Sequence, residues 1–257
     1  MDWWTQPLVL IYVFVFGAVV GSFLNVVIHR LPRERSLVKP RSACPDCGQT
    51  IRWFDNLPVI SWLALRGRCR GCNARISIRY PLVELLAGAF GVLALWQWGP
   101  SLTAVEVAVF AWISLVLGLI DLEHQILPDL LTYPSILLGL TASWFGGYTW
   151  WLDSLLGAVV GAALPTLVIV LYRWLRGVEG MGWGDVKYLA AIGSVVGLRG
   201  CTGVLVVAAT LGAAVGVGLI VSGRGSGKTA LPFGTFLALA VILWLYLPES
   251  VTSWSFL

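Results

Sequence analysis

Charge is what this chain has least of. Only 12% of its 257 residues are charged, 58% are hydrophobic, and the mean hydropathy is +0.85. That scarcity excludes an ordinary soluble domain, which could not bury so much apolar surface, so a lipid bilayer has to act as solvent. The opening Met1-Asp2-Trp3-Trp4 lacks the basic start of a cleavable signal peptide, so the first apolar run is expected to stay as a membrane helix. No internal repeat marks a transporter built of two halves. What is abundant suits the same medium: 14 Trp favour membrane interfaces, and 29 Gly are tolerated in membrane helices.

Hydropathy divides the chain into eight apolar segments, roughly 8–28, 82–98, 102–120, 131–147, 152–174, 186–199, 201–222 and 232–248. The fold class expected is an all-α polytopic membrane protein of about eight transmembrane helices. The sixth segment is short for a span. Charge topology nevertheless favours eight crossings with the N-terminus outside, because all basic residues except Arg199 then face the cytoplasm. Between Arg30 and Arg79 lie 11 of the 17 Lys and Arg residues. The domain reading follows: 1–29 a first membrane helix, 30–81 a basic cytoplasmic insertion, 82–257 a membrane domain of seven helices. The Gly17–Gly21 spacing in the first helix suits close helix packing.

The insertion carries Cys44-x2-Cys47 and, after 21 residues, Cys69-x2-Cys72. Two such knuckles can set four thiolates around Zn²⁺, and four protein ligands close the site, so the metal would be structural. Gly48 and Gly71 suit the tight turns of such knuckles. A cytoplasmic location argues against disulfides. Cys201, in an apolar segment, reads as a small buried hydrophobe.

Two aspartates border apolar runs. Asp121 ends the run 105–120, and Asp185 closes Gly180-Met181-Gly182-Trp183-Gly184 before the run 186–198. Acids at membrane helices are costly and mark function. Two carboxyls in a partly dry site share a proton, so one can activate water while the other protonates a carbonyl. The bare backbone of Gly182 and Gly184 leaves room for another chain to approach. Residue chemistry alone leaves an ion or proton pathway open as well. Each acid also has a quieter role: Asp185 could cap the sixth segment, with Lys187 as an interfacial anchor. Asp129 suits an N-cap, Glu123 and His124 a solvated turn, Glu84 the dipole of the second segment, and Glu106 a snorkelling position. The loop Ser222-Gly223-Arg224-Gly225-Ser226-Gly227-Lys228-Thr229 looks like a phosphate-binding loop but has Ser222 in place of the first Gly and no βαβ context. It reads as a flexible basic loop.

Several motifs occur in a fixed order. They are Gly21-Ser22-Phe23-Leu24-Asn25-Val26-Val27-Ile28-His29-Arg30-Leu31-Pro32, the cysteine knuckles, Arg79-Tyr80-Pro81-Leu82-Val83-Glu84, the Asp121 segment ending in Pro128-Asp129, the G-x-G-D of Gly182–Asp185, and Leu231-Pro232-Phe233-Gly234. Over about residues 17–240 this set resembles the bacterial type IV prepilin leader peptidases, which also process pseudopilins of type II secretion. The resemblance implies an aspartic endopeptidase of the cytoplasmic membrane that removes a short basic leader after a glycine, at the cytoplasmic face. It implies Asp121 and Asp185 as the catalytic pair. It also implies N-methylation of the new terminus from S-adenosylmethionine, with Leu65-Arg66-Gly67-Arg68-Cys69, and Gly67 in particular, in the methyltransferase region. The expected partners are prepilins or pseudopilins and the lipid bilayer; no nucleic acid is expected, since stacking aromatics are sparse in the basic insertion. Rival readings are a presenilin-type intramembrane protease, which needs no zinc knuckle, and a proton or cation transporter, whose acids would lie near mid-membrane.

Overall fold

The computed structural model describes residues 2–177, 182–224 and 230–247; Gly180, Met181 and residues 225–229 of the motifs above lie outside them. The described chain is helical, and its only β pairing is two isolated bridges. Eight α-helices follow in order: α1 Pro7–Arg30, α2 Ile60–Ala64, α3 Arg79–Trp98, α4 Leu102–His124, α5 Asp129–Trp144, α6 Trp151–Arg176, α7 Trp183–Val221 and α8 Phe233–Tyr246. Each of the eight apolar segments is helical, with the short α2 added inside the basic insertion. The chain divides into two compact units, Met1–Ala108 and Val109–Leu257, with the boundary inside α4.

The count of spans differs from the hydropathy reading. Among the described residues five helices are long and apolar enough to cross a bilayer: Pro7–Arg33, Arg79–Trp98, Leu102–His124, Trp151–Leu175 and Trp183–Val221. Helices α5 and α8 have only 16 and 14 residues. The sixth and seventh segments form one element, α7, broken at Gly197, whose φ of 74° and ψ of −176° are not helical. The first half of α7 is about 21 Å long, short of the ~30 Å hydrocarbon core. Its residues Val186 and Tyr188–Gly197 are buried within the protein. A helix apolar on every side is one surrounded by other helices, so its hydropathy reports burial in protein rather than exposure to lipid.

In the first unit, α1 and α3 meet through small residues. A methyl group on Gly17 would lie 2.7 Å from the Ala87 carbonyl oxygen, and one on Gly21 would lie 2.7 Å from the Glu84 Cα. The Gly17–Gly21 spacing is therefore used for close backbone approach. Asn25, buried at this seam, donates to the Gly21 carbonyl at 3.2 Å and the Tyr80 carbonyl at 3.1 Å, fastening the start of α3 to α1.

In the second unit α7 packs against α5, α6 and α8. Gly157 of α6 and Gly193 of α7 face each other so closely that a Cβ on either would strike the other's carbonyl. The buried Ser154 hydroxyl donates to the Ser194 carbonyl at 2.5 Å across the same seam. The break at Gly197 frees backbone donors, and Asp153, in the first turn of α6, accepts the Leu198 N–H at 3.2 Å. Asp153 thus caps the second half of α7 from a neighbouring helix.

Candidate functional site

Asp121 lies in the last turn of α4 and is buried, with 5% of its surface exposed. Burial of a carboxylate requires donors, and α8 brings them: Asp121 Oδ2 accepts the Thr235 N–H at 2.8 Å and lies 3.2 Å from the Thr235 hydroxyl. That hydroxyl is also 3.0 Å from the Gly118 carbonyl, one turn back on α4. Gly234 makes the approach possible, since a Cβ there would lie 3.0 Å from both Asp121 Cγ and Oδ2.

Asp185 is not the N-cap of α7. Gly182 takes that position and its carbonyl accepts the Asp185 N–H at 3.2 Å, placing Asp185 in the first turn. The Asp185 carboxyl reaches back to the Gly182 N–H, the reciprocal half of a capping box. Asp185 is half-buried and lies close enough to Asp121 for their charges to interact. Leu127 joins the two sites of attachment. A Cβ on Gly184 would lie 3.0 Å from Leu127 Cβ, and one on Gly234 would lie 2.9 Å from Leu127 Cδ1. The Gly182–Gly184 turn, with Gly182 exposed, therefore keeps its bare backbone beside the carboxyl pair.

The neighbouring acids have other roles. Pro128, not Asp129, is the N-cap of α5; Asp129 sits in its first turn and binds Lys187 Nζ at 2.6 Å. Lys187 also lies 5.2 Å from the Tyr133 ring centroid, so it ties α5 to α7 rather than reaching outward. Glu106 is 1% exposed and does not snorkel. Glu84 lies beyond the first turn of α3 and its Oε2 accepts the Val59 N–H at 2.7 Å, holding a β-branched residue at φ 59°. Tyr188, one turn after Asp185, is fully buried. Sequence reasoning assigned no role to Gly234, Thr235 or Leu127. The Leu231–Gly234 motif was the available signal, but nothing local says which helix end a motif 110 residues away will meet.

The second cluster lies in the first unit. Cys44, Cys47, Cys69 and Cys72 are free thiols whose sulfurs all lie within 4.8 Å of one another. A tetrahedron with ~2.3 Å Zn–S bonds has edges of about 3.8 Å. The Cys44–Cys72 sulfur distance is 3.8 Å. The two knuckles match residue by residue: Cys44 N–H donates to the Gln49 carbonyl at 2.9 Å, and Cys69 N–H to the Ala74 carbonyl at 2.8 Å. The turn position with positive φ is Gly48 in the first knuckle and Asn73, not Gly71, in the second. A Cβ on Gly71 would meet only Gln49 Oε1, the end of an exposed flexible side chain that can turn away, so Gly71 is not tied to the turn. The N–H groups of Cys72 and Gly71 point at Cys69 and pull its thiol down, while desolvation and the neighbouring thiols push that of Cys72 up. The residues therefore fit a four-thiolate metal site.

Gly67, beside this cluster, has φ 66°, and a Cβ on it would lie 2.8 Å from the Trp62 ring. It lines an open cleft of about 500 Å³ with Trp62, Arg66, Arg68 and Arg75.

Helices of membrane-spanning length, a pair of interacting carboxyls at helix ends and a four-cysteine cluster define a polytopic membrane protein with the makings of an aspartyl site. Residues 15–98 match the bacterial peptidase A24 N-terminal domain, and residues 108–217 match the type IV leader peptidase family. A protein of Aeromonas hydrophila named "Prepilin leader peptidase/N-methyltransferase" is 38% identical, the match covering 94% of this chain and 92% of that one. A protein of Pseudomonas putida with the same name is 41% identical over 90% of this chain and 88% of its own length. The chain belongs to the type IV leader peptidase family. No solved structure matches it significantly.

Proposed function

We propose that this chain is a bifunctional membrane enzyme that removes the leader from prepilins or pseudopilins and N-methylates the new terminus. Asp121 and Asp185 are the catalytic pair. One carboxylate takes a proton from water as the water oxygen attacks the scissile carbonyl carbon; the other, protonated, donates to the carbonyl oxygen. Collapse of the tetrahedral intermediate breaks the C–N bond, and the leaving amine takes up a proton. The backbone at Gly182 and Gly184 gives the extended substrate room. The observation that carries this reading is the approach of the two carboxyls from α4 and α7, joined through Leu127.

The remaining assignments belong to the same reading. The site lies at the cytoplasmic face of the inner membrane with the N-terminus outside, as the distribution of Lys and Arg favours. Residues 30–81 form a domain held by Zn²⁺ on Cys44, Cys47, Cys69 and Cys72. S-adenosylmethionine is the methyl donor and binds the cleft at Gly67, where Trp62 offers an aromatic face and the arginines a carboxylate partner. The test is cleavage of a prepilin by Asp121→Asn and Asp185→Asn membranes, made separately, with mass spectrometry of the product. Both variants are expected to leave the leader attached; full cleavage by either sinks the assignment.

A further inference from the structure

We propose that Thr235 is a positioning residue for the peptidase reaction, fixing which edge of the Asp121 carboxyl meets the water. This rests on the reading that Asp121 is catalytic. Helix α8 begins at Phe233 with Pro232 as N-cap, and no side chain of its own caps it. The first N–H groups of a helix have no intrahelical acceptor and need one from elsewhere. Asp121 supplies it: the Thr235 N–H, which also lies 3.2 Å from the Pro232 carbonyl, donates to Asp121 Oδ2 at 2.8 Å. The Thr235 hydroxyl lies between two acceptors of α4, Gly118 O at 3.0 Å and Asp121 Oδ2 at 3.2 Å. Gly118 and Asp121 are one helical turn apart, so a single threonine spans the carboxylate and the backbone of the helix that carries it.

Both contacts fall on the same oxygen. Oδ2 is occupied by α8, and rotation of the carboxylate about Cβ–Cγ would break both contacts together. With the Gly234 N–H also directed at the carboxyl, its plane is held by α8 and water meets the edge that α8 leaves open. Gly234 secures the arrangement, since its missing Cβ is what lets the Thr235 N–H come within 2.8 Å of the carboxylate. Helix α8 therefore serves the site by orienting a carboxylate, without a charge or nucleophile of its own.

Thr235→Val keeps the shape and the backbone donor and removes only the hydroxyl. A hydrogen bond to a charged group corresponds to about a 10- to 100-fold effect. Thr235→Val is accordingly expected to lower kcat for prepilin cleavage about 10-fold or more, with KM within twofold of the parent, and Thr235→Ser to restore most of the loss. Wild-type kcat in Thr235→Val overturns the proposal, as does a Thr235→Ser variant no more active than Thr235→Val. Should Thr235→Val fail to fold, Thr235→Ser against Thr235→Ala decides it: the serine variant has to be the more active at equal thermal stability. Asp121→Asn, run beside these, separates the two levels, because retained cleavage in that variant removes the catalytic reading itself.

Discussion

Gly234→Ala is the sharpest test of the site, because one methyl group would meet two neighbours that matter differently. The added Cβ would lie 2.9 Å from Leu127 Cδ1 and 3.0 Å from Asp121 Cγ and Oδ2. Carbon contacts settle near 3.5–4.0 Å, so one or both neighbours must retreat by roughly 0.5–1 Å. Leu127 Cδ1 is the end of a flexible side chain and can turn away. The Asp121 carboxylate is held by Thr235 and moves only by lengthening those contacts. A displacement of about 1 Å in a reacting group costs about 100-fold in rate, and overpacking costs about 1–3 kcal/mol in stability. Gly234→Ala should therefore lower prepilin cleavage about 10- to 100-fold, read by leader loss on gels from detergent-solubilised enzyme. Methylation of an already cleaved pilin peptide should persist, since the methyltransferase region proposed at Gly67 lies in the first unit. Adding Leu127→Ala should recover thermal stability but not cleavage. If the double variant regains the parental kcat, the steric conflict lay with Leu127, and the idea that Gly234 protects the carboxylate is refuted.

The remaining predictions concern the frame around the sites. Gly157→Val drives a branched side chain into the Gly193 backbone, so thermal unfolding in detergent should show a loss of about 3 kcal/mol or misfolding; an unchanged midpoint would contradict the close α6–α7 approach. Asp153→Ala removes the acceptor for the Leu198 N–H at the α7 break and should cost about 1–2 kcal/mol, with hydrogen exchange rising first at residues 198–201. Cys44→Ser, or treatment with a chelator, should abolish methylation and unfold the knuckles; metal analysis showing no zinc in the parent protein would count against the proposed role of the four cysteines. Glu84→Gln keeps an acceptor for Val59 and should be mild, whereas Glu84→Ala leaves that N–H without it and should cost about 1–3 kcal/mol.

The legible part of this protein was whatever depends on period and spacing. Every apolar segment proved helical, and C-x2-C repeated at a fixed interval brought four sulfurs together. Other features depend on tertiary neighbours and had no local signature. Residues 186–198 are as apolar as a span, yet the half-helix they form before the Gly197 break is too short and is packed closely against α5 and α6. Hydropathy measures transfer out of water and cannot distinguish lipid from protein as the destination. Likewise Asp129 and Asp185 each stand where an N-cap was expected, but Pro128 and Gly182 hold those positions, freeing one acid for Lys187 and the other for the carboxyl pair. Capping preference gives the residue types near a helix start, and the chain's approach angle decides which one caps.

The helix ends also explain how two acids can be tolerated together. Asp185 occupies the first turn of α7, and Asp121 receives the first turn of α8, so each carboxyl meets the positive end of a helix. Such an end stabilises an anion by about 0.3–1 kcal/mol, up to about 2 when partly buried. Helix ends placed in this way ease the burial of negative charge where Asp121 and Asp185 approach each other. One protonated and one ionised carboxyl side by side is what peptide hydrolysis asks of an acid and a base acting at once, and it is the role proposed for Asp121 and Asp185.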